Sequence, residues 1–343
     1  MRSTPILAAM LAAATGLTQA ADLPKVRFSH HDWELACDNT RTCRAAGYHA
    51  EEGDYAPVSV LLERRAGPGQ AIAATLQLGD TGEEAEAPGM VTMLVDGKSL
   101  GSVAFDGKDG SGRLSAAQTG ALLGAVAGSG KVAWRAQKQT WSLSGKGAAA
   151  VLLKMDEFQG RIGTRGAAIR KGDKPDNGVL PALAAPVVRV AAPTGPEPRL
   201  SKDEERALLA LLRTAKGGEE CGDLEAFDSG ENAFAYAPLT RDRMLVSARC
   251  WRGAYNEGHG YWVANRRAPF APVLVTESGS DYGDGIIDAS HKGRGIGDCW
   301  GGDTWAWDGA RFVHVASGTT GMCREIMAGG AWNLPTLVTE LKK

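Results

Sequence analysis

The stretch from Lys171 to Arg199 constrains this chain most. It holds Pro175, Pro181, Pro186, Pro193, Pro196 and Pro198, interleaved with Ala, Gly and Val. Proline fixes φ and has no backbone N–H, so at this density it builds neither a helix nor a central strand. The stretch reads as a semi-extended linker, in which Val187–Val190 alone is suited to pair as an edge strand. It divides the chain into an N-terminal domain, 21–170, a linker, 171–199, and a C-terminal domain, 200–343. With 343 residues, each part is long enough to bury a core without covalent staples. Even so, the chain carries six cysteines.

The first twenty residues account for them. Arg2 is a short positive region, Ile6–Leu17 is an Ala/Leu-rich apolar run, and Thr18-Gln19-Ala20 has the small residues of a cleavage site. This is the three-part form of a secretory signal, with a mature start near Ala21 or Asp22. The run is too short to span ~30 Å of hydrocarbon, and no later stretch approaches that length, so no membrane span is expected. An exported chain meets an oxidising compartment, where an even cysteine count reads as disulfides. Spacing suggests Cys37–Cys43, Cys221–Cys250 and Cys299–Cys323 among the fifteen possible pairings. The close C-x-x-C pairs of structural zinc are absent, and neither a metal nor a cofactor is expected. With 38 basic and 40 acidic residues, a net charge of −2 excludes a nucleic-acid-coating protein.

The fold class expected is α+β. In the N-terminal part, Val58–Glu63, Ala71–Leu78, Lys131–Ala136 and Gln139–Ser144 are strand-like. Met90–Val95 and Leu100–Phe105 flank Asp96-Gly97, a tight hairpin turn. Ser115 to Gln118 is a capping box opening a helix to Ala127, and Ala148–Gln159 is a second helix. The C-terminal part opens on a helix capped by Ser201 and Glu204. A mostly antiparallel meander follows, over 233–239, 244–251, 259–265, 272–277, 285–291, 304–307 and 311–317.

Catalytic templates fail in turn. Gly128-Ser129-Gly130-Lys131 lacks the remaining positions of a phosphate loop. No G-x-S-x-G nucleophile elbow or H-E-x-x-H zinc motif exists. Asp281, Asp284 and Asp288 miss the spacing of a calcium loop. What remains is a C-terminal concentration of rings and polar groups around His259, Tyr261, Trp300 and Trp305, on glycine-rich segments. Rings supply apolar area and polar groups fix orientation, a combination suited to sugars or peptides.

The run Asp32-Trp33-Glu34-Leu35-Ala36-Cys37-Asp38-Asn39-Thr40-Arg41-Thr42-Cys43-Arg44-Ala45-Ala46-Gly47-Tyr48 resembles the signature of a family of exported proteobacterial proteins classed as a domain of unknown function. Met155–Thr164 matches its second block. Gly293–Cys299 followed by Trp305-x-Trp307-Asp308-Gly309-x-x-Phe312 matches its third. Through Trp33, Cys37 and Cys43 the first part is also similar to invasion-associated locus B proteins. The resemblance implies a Gram-negative periplasmic location and supplies no catalytic residues.

These readings converge on a non-enzymatic periplasmic protein that binds an envelope component or a protein partner. Candidate contacts are His259, Tyr261, Trp300 and Trp305, together with Asp38, Asn39 and Arg41 on a stapled turn. A cell-envelope hydrolase acting on glycan or peptide through Asp281, Asp284, Asp298 or Asp303 is one alternative. An inhibitor of a lysozyme-type enzyme is the other.

Overall fold

The computed structural model describes residues 24–53, 56–79, 89–106, 110–215, 217, 221–225 and 233–343; the expected leader at 1–20 lies outside them. The N-terminal strands are β1 (Val26–His30), β2 (Trp33–Cys37), β3 (Cys43–Tyr48), β4 (Val58–Arg64), β5 (Ala73–Leu78), β6 (Met90–Val95), β7 (Lys98–Asp106), β8 (Ser111–Arg113), β9 (Val132–Ala136) and β10 (Gln139–Leu143). They form one sheet in the order β1-β2-β3-β4-β5-β8-β7-β6-β9-β10. The β6–β7 turn holds Asp96 at φ 49° and Gly97 at φ 79°, both left-handed, as a two-residue turn matching strand twist requires.

Two helices cover this sheet. In α1 (Ala116–Ala127) the Ser115 side chain accepts from the Gln118 N–H and Gln118 returns the bond. In α2 (Ala148–Phe158), Val151, Leu152 and Met155 recur at helical spacing and are fully buried. That apolar stripe packs on β1, β2 and β3, joining Trp33, Leu35, Val60 and Leu76 in the first core.

After β11 (Val187–Arg189) and α3 (Lys202–Leu212) come β12 (Ala235–Pro238), β13 (Arg243–Arg252), β14 (Glu257–Asn265) and β15 (Val273–Gly279), an antiparallel four-stranded sheet. Strands β16 (Asp281–Gly283), β17 (Ile286–Lys292), β18 (Trp300–Trp307), β19 (Phe312–Thr319) and β20 (Leu334–Leu337) form a second, five-stranded one. The expected meander is thus split in two, because β15 packs on β17 and their ladders remain separate. Strands β13 and β14 are buried on both faces. Met244, Val246 and Trp262 meet Leu208 and Leu212 of α3, while Leu245, Tyr261 and Val263 meet Ile287 and Trp307.

The sequence predicts no strand or helix beyond Ser317, yet the residues there join the parts. Strand β21 (Glu340–Lys342) pairs in parallel with β11, and β20 contacts β2. Ala36, Ala46 and Tyr48 share a fourth core with Ile326 and Leu334. The proline-dense stretch is anchored at several points: Arg41 Nη1 donates to Pro181 O at 2.9 Å, and Leu183 N donates to Thr40 O at 3.1 Å. Prolines prevent this stretch from entering a sheet core but leave its carbonyls free to accept.

Candidate functional site

The stapled turn is built first. Cys37 ends β2, Cys43 begins β3, and a disulfide joins them. Between them, Asp38 Oδ1 accepts from Thr40 N at 2.9 Å, Thr40 Oγ1 at 2.5 Å and Thr42 N at 3.3 Å. Its Oδ2 pairs with Arg44 Nη1 at 2.9 Å. Asn39 bonds the backbone of Val338 in both directions, Nδ2 to O at 3.0 Å and O from N at 2.7 Å. Asp38 and Asn39 are 2% and 1% exposed, so these two side chains do not reach solvent. Arg41, half-buried, turns toward the Pro181 carbonyl. A short polar loop in extended sequence looks like a surface loop; docking of the C-terminal segment buries it.

The aromatic candidates separate. Tyr261 is 5% exposed, and burial first, then nearby Asp281, pushes its hydroxyl up to about 12. Its ring occupies the space a side chain at Gly279 would need, with a Cβ there only 2.3 Å from the ring. His259, half-exposed on β14, lies 3.7 Å from Glu257 and lines neither the hollow beside Trp300 nor the one beside Trp305. Trp300 and Trp305 lie five apart on one strand, so they point to opposite faces. Trp300 lines a hollow of about 500 Å³ with Thr304, Val315 and Leu337. Trp305 lines a second one.

That second hollow, about 440 Å³, is where three sheets converge. Arg27 comes from β1, Thr276 and Ser278 from β15, His291 from β17, Asp303 and Trp305 from β18, and Ser317 and Thr319 from β19. Pairing explains the placement. Asp303 and Trp305 are two apart on β18 and so share one face, and the bulge at Val315 of β19 puts their partners Ser317 and His314 on that face as well. On that face Gly301 has no side chain, and a Cβ there would meet nothing nearer than Thr319 Cγ2 at 3.8 Å, which leaves room beside Asp303.

The electrostatics are mixed. His314 Nε2 lies 2.8 Å from Asp303 Oδ1, and its hydrogen bond, with a further one from Ser317, holds the Asp303 carboxyl below the usual carboxylate range. A carboxylate only accepts, so His314 presents its Nε2–H there. The His314 ring stacks on Trp305 with centroids 5.1 Å apart. Exposed Arg27 donates Nη2 to Thr319 Oγ1 at 3.1 Å. Trp251 donates Nε1 to Ser278 Oγ at 3.4 Å and tilts its ring against His291.

The acids of the hydrolase reading are dispersed. Asp281 and Asp284 are exposed on the β16–β17 hairpin. Asp298 is buried, paired with Arg294 at 2.5 Å, and accepts from Glu325 N at 2.7 Å. Among the described residues, Asp303 alone of these lines the 440 Å³ cleft, whereas glycoside hydrolysis needs two carboxyl groups flanking the scissile bond. Asp298, Cys299 and Cys323 lie within 4.8 Å of one another, but both sulfurs are in a disulfide and cannot ligate as thiolates.

Sequence reading missed Arg27, Thr276, Ser278, His291, Ser317 and Thr319. The available signal was the period-2 alternation Gly301-Asp303-Trp305, which places an acid and a ring on one face. Arg27, more than 240 residues distant from its nearest cleft partner in β15 (Arg27 against Thr276), had no local signal.

A family model described as "Protein of unknown function (DUF1176)" matches residues 27–339. The chain is 30% identical over 328 residues to "Uncharacterized protein YpfG" of Escherichia coli (strain K12), covering 89% of this chain and 90% of that protein. No solved structure matches.

Proposed function

The chain belongs to the DUF1176 family, and from that premise and the chemistry of the cleft we propose that it is an exported, periplasmic binding protein for a saccharide of the cell envelope. The observation that carries the reading is the convergence of Asp303, Trp305, His291 and the Thr276, Ser278 and Ser317 hydroxyls on one hollow. Its volume falls in the range of small-molecule sites, about 300–1,000 Å³. A carboxylate and hydroxyls match the alternating donors and acceptors of a sugar, and an indole offers apolar area to its C–H faces.

The location rests on the leader-like residues 1–20 and on three disulfides, which persist in oxidising compartments. No helix among the described residues is long and apolar enough to cross a membrane. Residues 21–170 and 200–343 act as two units that the 171–199 stretch ties together.

Calorimetric titration of the mature chain with a panel of envelope saccharides tests the proposal. A saturable heat that Asp303→Asn and Trp305→Ala both remove is the expected result. Absence of binding across the panel, or binding indifferent to both substitutions, overturns it.

A further inference from the structure

We infer that the saccharide bound in this cleft is anionic, a sugar acid, and that Arg27 is the residue that selects its carboxylate. The inference rests on the saccharide reading above and deepens it. Arg27 is the guanidinium among the cleft residues; it is exposed, and the single hydrogen bond of its side chain among the described residues goes to Thr319 Oγ1. A guanidinium has five N–H donors in a planar fork that fits a carboxylate with two parallel bonds. One bond to a neutral hydroxyl orients that fork and leaves most of its donors unused.

The neighbouring acids do not close it. Asp303 and Glu34 both feel the Arg27 charge, but neither forms an ion pair with it within 4 Å among the described residues. Asp303 is engaged by His314 and Ser317. Glu34 accepts from Tyr48 and from Met322 N, each at 2.7 Å, and burial raises its carboxyl toward the neutral form. A ligand carboxylate on Arg27 and ligand hydroxyls on Asp303 would satisfy both ends of the cleft. Because Arg27 is on β1 while the other residues come from β15 to β19, such a ligand bridges the N-terminal sheet and the C-terminal strands.

The test is titration of the mature chain with digalacturonate and, in parallel, a neutral galactobiose. The wild type should bind the acid about ten-fold more tightly, the scale of a charge-assisted pair. Arg27→Gln, at an exposed position, should bring the affinities for the two sugars together, and Thr319→Val should narrow the difference between them. Equal affinities in the wild type, or an unchanged preference in Arg27→Gln, overturn the inference and leave the saccharide reading standing. Binding of neither sugar, nor of any saccharide in the panel, overturns both.

Discussion

Asp38 and Asp303 make an instructive pair. Both are carboxylates on or beside strands, and both have a threonine within two residues in the sequence. Asp38 has its oxygens occupied by two backbone N–H groups, a hydroxyl and a guanidinium, and the chain closes over it. Asp303 has a histidine and a serine and faces a hollow. The first arrangement has no hydrogen-bonding capacity left for a partner; the second does. Polar residue type alone therefore does not mark a site. What marks it is whether local turns and tertiary docking complete the group's bonds.

Substitutions should divide along this line. The largest effect is expected in the buried network of the second sequence block, where Asp156, fully buried, pairs with Arg64 at 3.0 Å and accepts from Ala168 N and Ile169 N. Asp156→Ala leaves a buried guanidinium without its counter-charge and should cost about 3–5 kcal/mol in denaturant unfolding. Asn39→Ala breaks both bonds to Val338 and should cost about 1–3 kcal/mol, with saccharide affinity of the folded fraction unchanged. Loss of binding without loss of stability there would reverse the comparison. Asp303→Asn should behave oppositely, changing stability by less than about 1 kcal/mol because its ion pair is solvent-exposed, while removing binding.

The smallest effects are in pH dependence, and their signs differ. The Asp303 pKa is lowered from 3.8, so its stabilisation is full above that value and is lost as pH falls through the folded pKa. The Glu34 pKa is raised from 4.5 by burial, so its contribution is full below 4.5 and is lost as pH rises toward the folded pKa. Glu34→Gln should therefore flatten the decline in melting temperature above 4.5, and Asp303→Asn should flatten the acid-side loss below 3.8. An unaltered profile in both variants would contradict the assigned environments.

Much of the fold was legible in sequence because it is set by short-range rules. The Ser115 and Ser201 capping boxes form with both reciprocal bonds, and Asp96-Gly97 turns a hairpin. The α+β class follows from the alternation of such signals. What was not legible depends on docking across long separations. Val338 lies far from Asn39 in sequence, so nothing near Asn39 foretold its burial. Trp332 Nε1 donates to Ser59 Oγ and Arg324 Nη2 to Asp32 for the same reason: the C-terminal segment reads as a tail and folds as a clasp. The cleft was half-legible, since Trp305 and Asp303 stood out while Arg27 and His291 did not.

The central claim is that the open hydrogen-bonding capacity lies in the cleft and the stapled turn is closed. Backbone and indole chemical-shift mapping of residues 22–343, titrated with an acidic and then a neutral disaccharide, tests it most directly. The account predicts saturable shifts at Thr276, His291, Asp303, Ser317 and the Trp305 indole, joined by Arg27 with the acidic sugar, and none over 37–43. Shifts centred on 37–43, or none in the cleft with either sugar, would contradict it.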